Sequence, residues 1–215
     1  MTWTNKVLRL FKNNVGFIMF LVGLAFFRTA VADWNRVPSG SMEPTLYDGD
    51  WLVVNKIHYG PSLPFANKRL FDYGGPERGD VVTFVPPHTT QLYVKRVVGI
   101  PGDHISFAGR EIFVNGEKLT STKVPSDSNA DINLEYLDGA SHFIQYGEEG
   151  NLPKINGAFT VPDDNYFVLG DHRNNSADSR YWGFVESDKI MGKVTHVAFS
   201  TSHDRFAERF ALEIH

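Results

Sequence analysis

Leu92-Tyr93-Val94-Lys95-Arg96-Val97-Val98-Gly99-Ile100, closed by Pro101-Gly102-Asp103, is a β-branched, apolar run ended by turn residues. Such a run reads as a strand. Alternation puts Tyr93, Lys95 and Val97 on one face and Val94, Arg96 and Val98 on the other, so one of two adjacent cations points inward. A lysine flanked by Tyr93 and Val97 has an apolar neighbourhood. Desolvation there lowers its pKa from about 10.4 toward the range in which the amine accepts a proton. A lysine snorkelling from a sheet edge fits the same pattern, and Lys56 stands in a similar strand.

Outward from this strand the same signals recur. Trp51 to Ile57 follows the turn Tyr47-Asp48-Gly49-Asp50, and Val81 to Val85 lies between Arg78-Gly79-Asp80 and Pro86-Pro87. Short strands are expected around His104 to Phe107 and Glu111 to Val114, with Asn115-Gly116 as a two-residue hairpin turn. Tyr166 to Leu169 and Lys189 to Ser200 read as further strands. Gly60 to Glu77, rich in Gly and Pro, reads as a long loop. Thr120 to Gly157 is polar and reads as an insertion, a flap or hairpin on the main sheet, with too few apolar residues for a core of its own. Phe206, Phe210 and Ile214 at i, i+4, i+8 predict a short amphipathic helix over Asp204 to Ile214.

The chain has 215 residues, enough for one domain with an elaboration. A formal charge of −4 and a pI near 6.0 give no electrostatic footprint for nucleic acid. Cysteine is absent, which excludes disulfides, thiol catalysis and thiolate metal sites. The eight histidines have no metal-ligand spacing, so no metal or other cofactor is expected.

At the amino terminus Lys6, Arg9 and Lys12 precede the apolar run Val15 to Phe27, which Arg28 interrupts. A basic start, an apolar middle and Ala30-Val31-Ala32 before Asp33 fit a cleavable leader. The 13 residues of the run fall short of the ~20 of a membrane span, while counting to Ala32 gives 18, with Arg28 near one end. Either way, the charge asymmetry exports the chain beyond this segment.

Pro38-Ser39-Gly40-Ser41-Met42-Glu43-Pro44-Thr45 comes next. Two prolines stiffen it and Gly40 permits a tight turn beside Ser41, as they would in any ordinary turn. A serine presented this way needs a base to become a nucleophile. Lys95 is one, and Lys56 is not excluded. His172 beside Asp171 raises a Ser-His-Asp arrangement with Ser41. There is no G-x-S-x-G elbow. The dense polar loop after Leu169 holds Asp171, Arg173, Asp178 and Arg180, two acid–base pairs able to clamp it.

Four segments carry a resemblance: Ser39-Gly40-Ser41-Met42-Glu43-Pro44-Thr45, Gly79-Asp80-Val81-Val82, Tyr93 to Asp103, and Gly170-Asp171-His172-Arg173-Asn174-Asn175-Ser176-Ala177-Asp178-Ser179-Arg180-Tyr181-Trp182-Gly183. In content and order they resemble the signature boxes of bacterial type I signal peptidases. The resemblance implies a mainly β fold: an antiparallel β-sheet catalytic domain with one amino-terminal transmembrane helix and a short carboxy-terminal helix. It implies a cytoplasmic terminus over 1–14, an uncleaved anchor over 15–32, and an extracytoplasmic catalytic domain over 33–215 with the insertion at about 120–157. It further implies a serine endopeptidase of the cytoplasmic membrane that removes signal peptides from exported preproteins. Its partners would be those preproteins and the lipid bilayer, with the protein itself a monomer.

By position in those motifs, Ser41 would be the nucleophile and Lys95 the general base. Ser39 and the Ser41 N–H would form the oxyanion hole. Ser176 would orient the lysine, braced by Asp178 and Arg180. Val37, Pro38, Met42, Leu46, Tyr93 and Val94 would line pockets for small substrate residues at positions −1 and −3. Three positions depart from the family's pattern: Glu43, His172 (commonly Asn) and Asn174 (usually an acid). Altered loop hydrogen bonding is expected from His172 and Asn174, and little change from Glu43. A specialised peptidase such as a pilin-processing one, a self-cleaving Ser-Lys domain, and a silent membrane-tethered peptide-binding β domain are the alternatives.

Overall fold

A computed structural model describes residues 12–60, 71, 73–126, 130–147, 157–202 and 206–214. Its first element is helix α1 (Val15–Ala30), whose apolar side chains point outward on all sides; among its residues only Ala30 is buried. Val31 N–H closes the last turn on Phe27 O, and Lys56 Nζ reaches Arg28 O at 3.3 Å and Asp33 at 3.1 Å. A cation on the last carbonyls suits the negative end of a helix. The helix stops short of the expected boundary at residue 32, because Ala32 already pairs with Asn55 in a sheet. No helix among the described residues is long and apolar enough to cross a membrane.

The body is mainly β and antiparallel. The large sheet runs β1 (Ala32–Arg36), β2 (Asp50–Asn55), β14 (Ile190–Ser200), β3 (Val81–Phe84), β4 (Tyr93–Gly99), β12 (Asn165–Leu169) and β13 (Val185–Glu186), with β15 (Leu212–Glu213) added to β14. β14, at 11 residues, serves three neighbours by shifting register along its length. A second sheet orders β11 (Gly157–Thr160), β5 (His104–Ala108), β6 (Glu111–Val114) and β7 (Glu117–Lys118). Asn115 and Gly116, with φ of 54° and 82°, turn β6 into β7 as the hairpin signal requires. The insertion is a third sheet of β10 (Ala140–Tyr146), β9 (Asp131–Leu137) and β8 (Ser121–Lys123), in effect a hairpin arm. The long loop expected from Gly60 lies mostly outside the described residues.

The carboxy-terminal helix is not formed. Phe206 to Ala211 is a run of turns, and Leu212 and Glu213 pair with Val197 and His196 of β14. Two interactions defeat the helix. Ala211 adopts φ 53°, outside helical geometry, and Arg209 is drawn inward onto buried Asp50, its guanidinium NH2 group 2.6 Å from the carboxylate. Phe206 and Phe210 stay exposed while Ile214 joins the core, so the three apolar residues share no face.

Candidate active site

The serine turn is held from beneath. Met42 and Leu46 drop fully buried into a core with Val37, Leu52, Val54, Val81, Val194, Val197 and Ile214. Arg209 adds a hydrogen bond to Thr45 O, 2.8 Å. Gly40 to Met42 forms one 3₁₀ turn, with Glu43 N–H donating to Gly40 O. A turn anchored this way presents its polar residue on the opposite side, and there Ser41 meets β4.

Lys95 Nζ lies 2.6 Å from Ser41 Oγ and 3.0 Å from Val94 O. The lysine is 3% exposed, and burial lowers its pKa from 10.5 to about 8. Asp178 and Asp171 oppose that shift and Arg180 adds to it. The amine sits 5.5 Å from the Tyr93 ring centre, within the apolar face that alternation placed beside it. Ser39 Oγ is 3.4 Å from Ser41 Oγ.

The other candidate bases are elsewhere. Lys56 is occupied at the end of α1. His172 directs Nδ1 to Gly40 O at 3.1 Å, and the hydrogen-bond partners of Ser41 Oγ are Lys95 and Ser39.

Both neighbours of the strand pattern are buried, one on each face. Arg96, 1% exposed, forks onto Asp171 with Nε at 2.9 Å and a terminal nitrogen at 2.8 Å, and also reaches Gly79 O. This corrects the expected pairing within the polar loop. Asp178 and Arg180 do pair, at 2.8 and 2.7 Å, and Asp178 also accepts from Gly170 N–H. Asp171 instead takes Arg96, and Arg173 takes Glu135 of the hairpin arm, with NH1 at 2.7 Å from Oε1. Each of these buried charges is captured by an opposite charge on another element rather than by its near neighbour in the loop.

Ser176 packs close to the dyad without bonding to it. A Cβ on Gly170 would lie 2.2 Å from Ser176 Oγ and 2.4 Å from Ser41 O, so only glycine lets these three segments meet. The Ser176 hydroxyl is buried and makes no hydrogen bond among the described residues.

A cleft of about 410 Å³ opens at Ser41, lined among others by Val37, Pro38, Met42, Tyr93 and Val94. Leu46 is not on its wall but wholly in the core. Gln91, Leu92, Asn175 and Ala177 complete the lining. Sequence reasoning misses these four because Gln91 and Leu92 lie just outside the quoted segments, while Asn175 and Ala177 lie within one but carry no distinctive chemistry. Along β4, β12 pairs only from Arg96 onward, so the outer edge of Tyr93 to Lys95 faces the cleft without a partner strand among the described residues. No cluster of potential metal ligands occurs among the described residues.

Comparisons with known proteins show the family. Signal peptidase I of Pseudomonas fluorescens is 34% identical over 212 residues, covering 91% of this chain and 75% of that one. A probable signal peptidase I-2 of Synechocystis is 36% identical over 223 residues, covering 98% and 83%. A crystal structure of a signal peptidase I from Enterococcus faecalis is 29% identical, covers 57% of this chain and 98% of its own, and has a TM-score of 0.38. Residues 10–199 match the family described as "Signal peptidase, peptidase S26", and the chain belongs to that family.

Proposed function

We propose that this protein is a membrane-bound endopeptidase that removes amino-terminal signal peptides from exported preproteins, with Ser41 as nucleophile and Lys95 as general base. The observation that carries the reading is the 2.6 Å contact between Lys95 Nζ and Ser41 Oγ, at a lysine whose burial favours the neutral amine. The neutral amine takes the Ser41 proton as Oγ attacks the scissile carbonyl. The Ser41 N–H and, after rotation of its hydroxyl, Ser39 Oγ stabilise the oxyanion. The ammonium then returns its proton to the leaving amine, and the same lysine activates the water that hydrolyses the acyl-enzyme. A rotation of Ser176 about its Cα–Cβ bond would offer the lysine a further partner, with Asp178 and Arg180 bracing its loop.

The substrate adds a strand along the free edge of Tyr93 to Lys95. Its small −1 and −3 side chains point into the cleft of Val37, Pro38, Met42, Tyr93 and Val94. A helix that is apolar all round and exposed has no place in water. We assign α1 to the bilayer as part of a single anchor, with the basic residues before it cytoplasmic and the β body on the extracytoplasmic face. Ala30-Val31-Ala32 is retained, since Ala30 is buried at the helix end and Ala32 is locked in β1.

The test is cleavage of a preprotein with an Ala-x-Ala site by detergent-solubilised protein, beside folded Ser41→Ala and Lys95→Ala. Cutting by the parent and silence of both variants supports the reading. Cutting by Lys95→Ala at neutral pH removes the lysine from the role. A folded parent that binds the preprotein without cutting it makes this a peptide-binding domain.

A further inference from the structure

Glu43, His172 and Asn174 all meet the hairpin arm. Asn174 exchanges two 2.8 Å hydrogen bonds with the backbone of Gly147, just after β10. Gln145, in β10, donates through Nε2 to Glu43 Oε2 at 3.0 Å, and the same nitrogen is 3.0 Å from His172 Nδ1. The backbones are tied as well: Gln145 N–H donates to Asp171 O and Arg173 N–H to Gln145 O. Glu43 and His172, from the serine turn and the polar loop, converge on one carbonyl, and Gln145 of the arm touches both their side chains.

That carbonyl is Gly40 O. It accepts from Glu43 N–H at 3.2 Å and faces His172 Nδ1 at 3.1 Å. The Gly40–Ser41 peptide is trans, so its plane fixes the Ser41 N–H antiparallel to Gly40 C=O. Aiming the carbonyl aims the amide. His172 also donates its own backbone N–H to Ser41 O at 3.2 Å, which holds the next peptide along.

Nδ1 cannot both donate to Gly40 O and accept from Gln145. The Glu43 carboxylate, 3.7 Å from Nδ1, favours a hydrogen there, and Gln145 can turn its amide hydrogens to Glu43. The buried Nε2 then keeps a bare lone pair rather than an orphaned N–H.

We propose that His172 is a positioning residue for the oxyanion donor, fixing the two peptides that flank Ser41, and that the Gln145–Glu43 pair fixes its ring. The hairpin arm thereby belongs to the active site without touching the reacting atoms. The inference rests on the reading of Ser41 as the acyl-transfer nucleophile.

The experiment compares parent, His172→Ala, His172→Asn, Glu43→Ala and Ser41→Ala by steady-state cleavage. In parallel it measures binding of a substrate-length peptide aldehyde, which places an oxygen where the oxyanion forms, and of an uncleaved peptide of the same sequence. Losing an oxyanion donor outright costs about 10²–10³ in kcat, so misaiming one by His172→Ala is expected to lower kcat ~10-fold or more. KM should change little, and aldehyde affinity should fall in step while the uncleaved peptide binds as before. His172→Asn, which restores an amide donor, should recover part of the loss. Glu43→Ala should lower kcat in the same direction, and as a partly exposed site it keeps the test decisive if His172→Ala does not fold. A folded His172→Ala with parental kcat, or equal weakening of aldehyde and uncleaved peptide, overturns the positioning role alone. Cleavage by Ser41→Ala overturns the acyl-transfer reading and this inference with it.

Discussion

Lys95 and Ser41 stand 54 residues apart in the chain and 2.6 Å apart in space, with the amine on an apolar face of β4. With Lys95 as the proposed general base, the neutral amine is the active form, and cleavage should rise as pH rises through about 8 and level off above it. A pH series of kcat/KM checks this, and a midpoint near 6.5 would point to a histidine instead.

The same lysine should weaken the fold at neutral pH. Its folded pKa of about 8 lies below the unfolded 10.5. Between those values the unfolded chain holds a proton that the folded chain lacks, so stability climbs with pH across the window and stays low beneath it. At ~1.4 kcal/mol per unit the difference is about 3 kcal/mol. Lys95→Met should be inactive yet more stable than the parent at pH 7, with the advantage vanishing above pH 10.5. Urea midpoints at the two pH values decide it.

Ser39 is exposed at the mouth of the cleft, so Ser39→Ala should fold as the parent does. Removal of an oxyanion donor predicts a fall in kcat of roughly 10² or more with KM nearly unchanged. A rise confined to KM would assign Ser39 to substrate binding.

Glu135 and Arg173, both buried, join the arm to the polar loop. Glu135 suffers a large desolvation penalty, but Arg173 and His142 outweigh it and hold its pKa at about 2 rather than 4.5. Its contribution to stability is complete above pH 4.5 and is lost as pH falls toward 2. Glu135→Gln leaves a buried guanidinium unpaired and should cost about 3–5 kcal/mol at pH 7. Acid titration of the unfolding free energy should also lose its slope between those pH values. A variant with parental acid stability would mean that the arm is dispensable to the loop.

Ala30-Val31-Ala32 has the small-x-small form of a cleavage site, yet Val31 O accepts from Lys56 N–H and Ala32 pairs with Asn55. Cleavage needs an extended, free segment, so the intact mass should be unchanged after incubation with active enzyme. Loss of residues 1–32 would show that this junction opens.

Strands and hairpin turns were legible in the sequence because period-two alternation and Asn-Gly chemistry are local, and Ser41 and Lys95 because their motifs are. Partners set by topology were not. Asp171 and Arg173 look like a pair two residues apart, but their partners are 75 and 38 residues away, across a sheet order that no local pattern encodes. The carboxy-terminal helix failed for the same reason. Its spacing was helical, while Arg209 and the open edge of β14 offered stronger partners elsewhere. Leu46 reads as a pocket residue by its place beside the motif, and its side chain packs in the core with Met42 and Leu52.

Lys95 and Arg96 are neighbours on opposite faces of β4, and this gives the strand a safeguard during folding. A one-residue slip against β3 would exchange every face. A guanidinium that never releases its proton would then stand at Ser41, and the shorter amine would be left to satisfy Asp171 and Gly79. Such a chain would hold unpaired buried charge and would also be inert. The pairing of Arg96 with Asp171 thus favours the register in which the Lys95 amine faces Ser41.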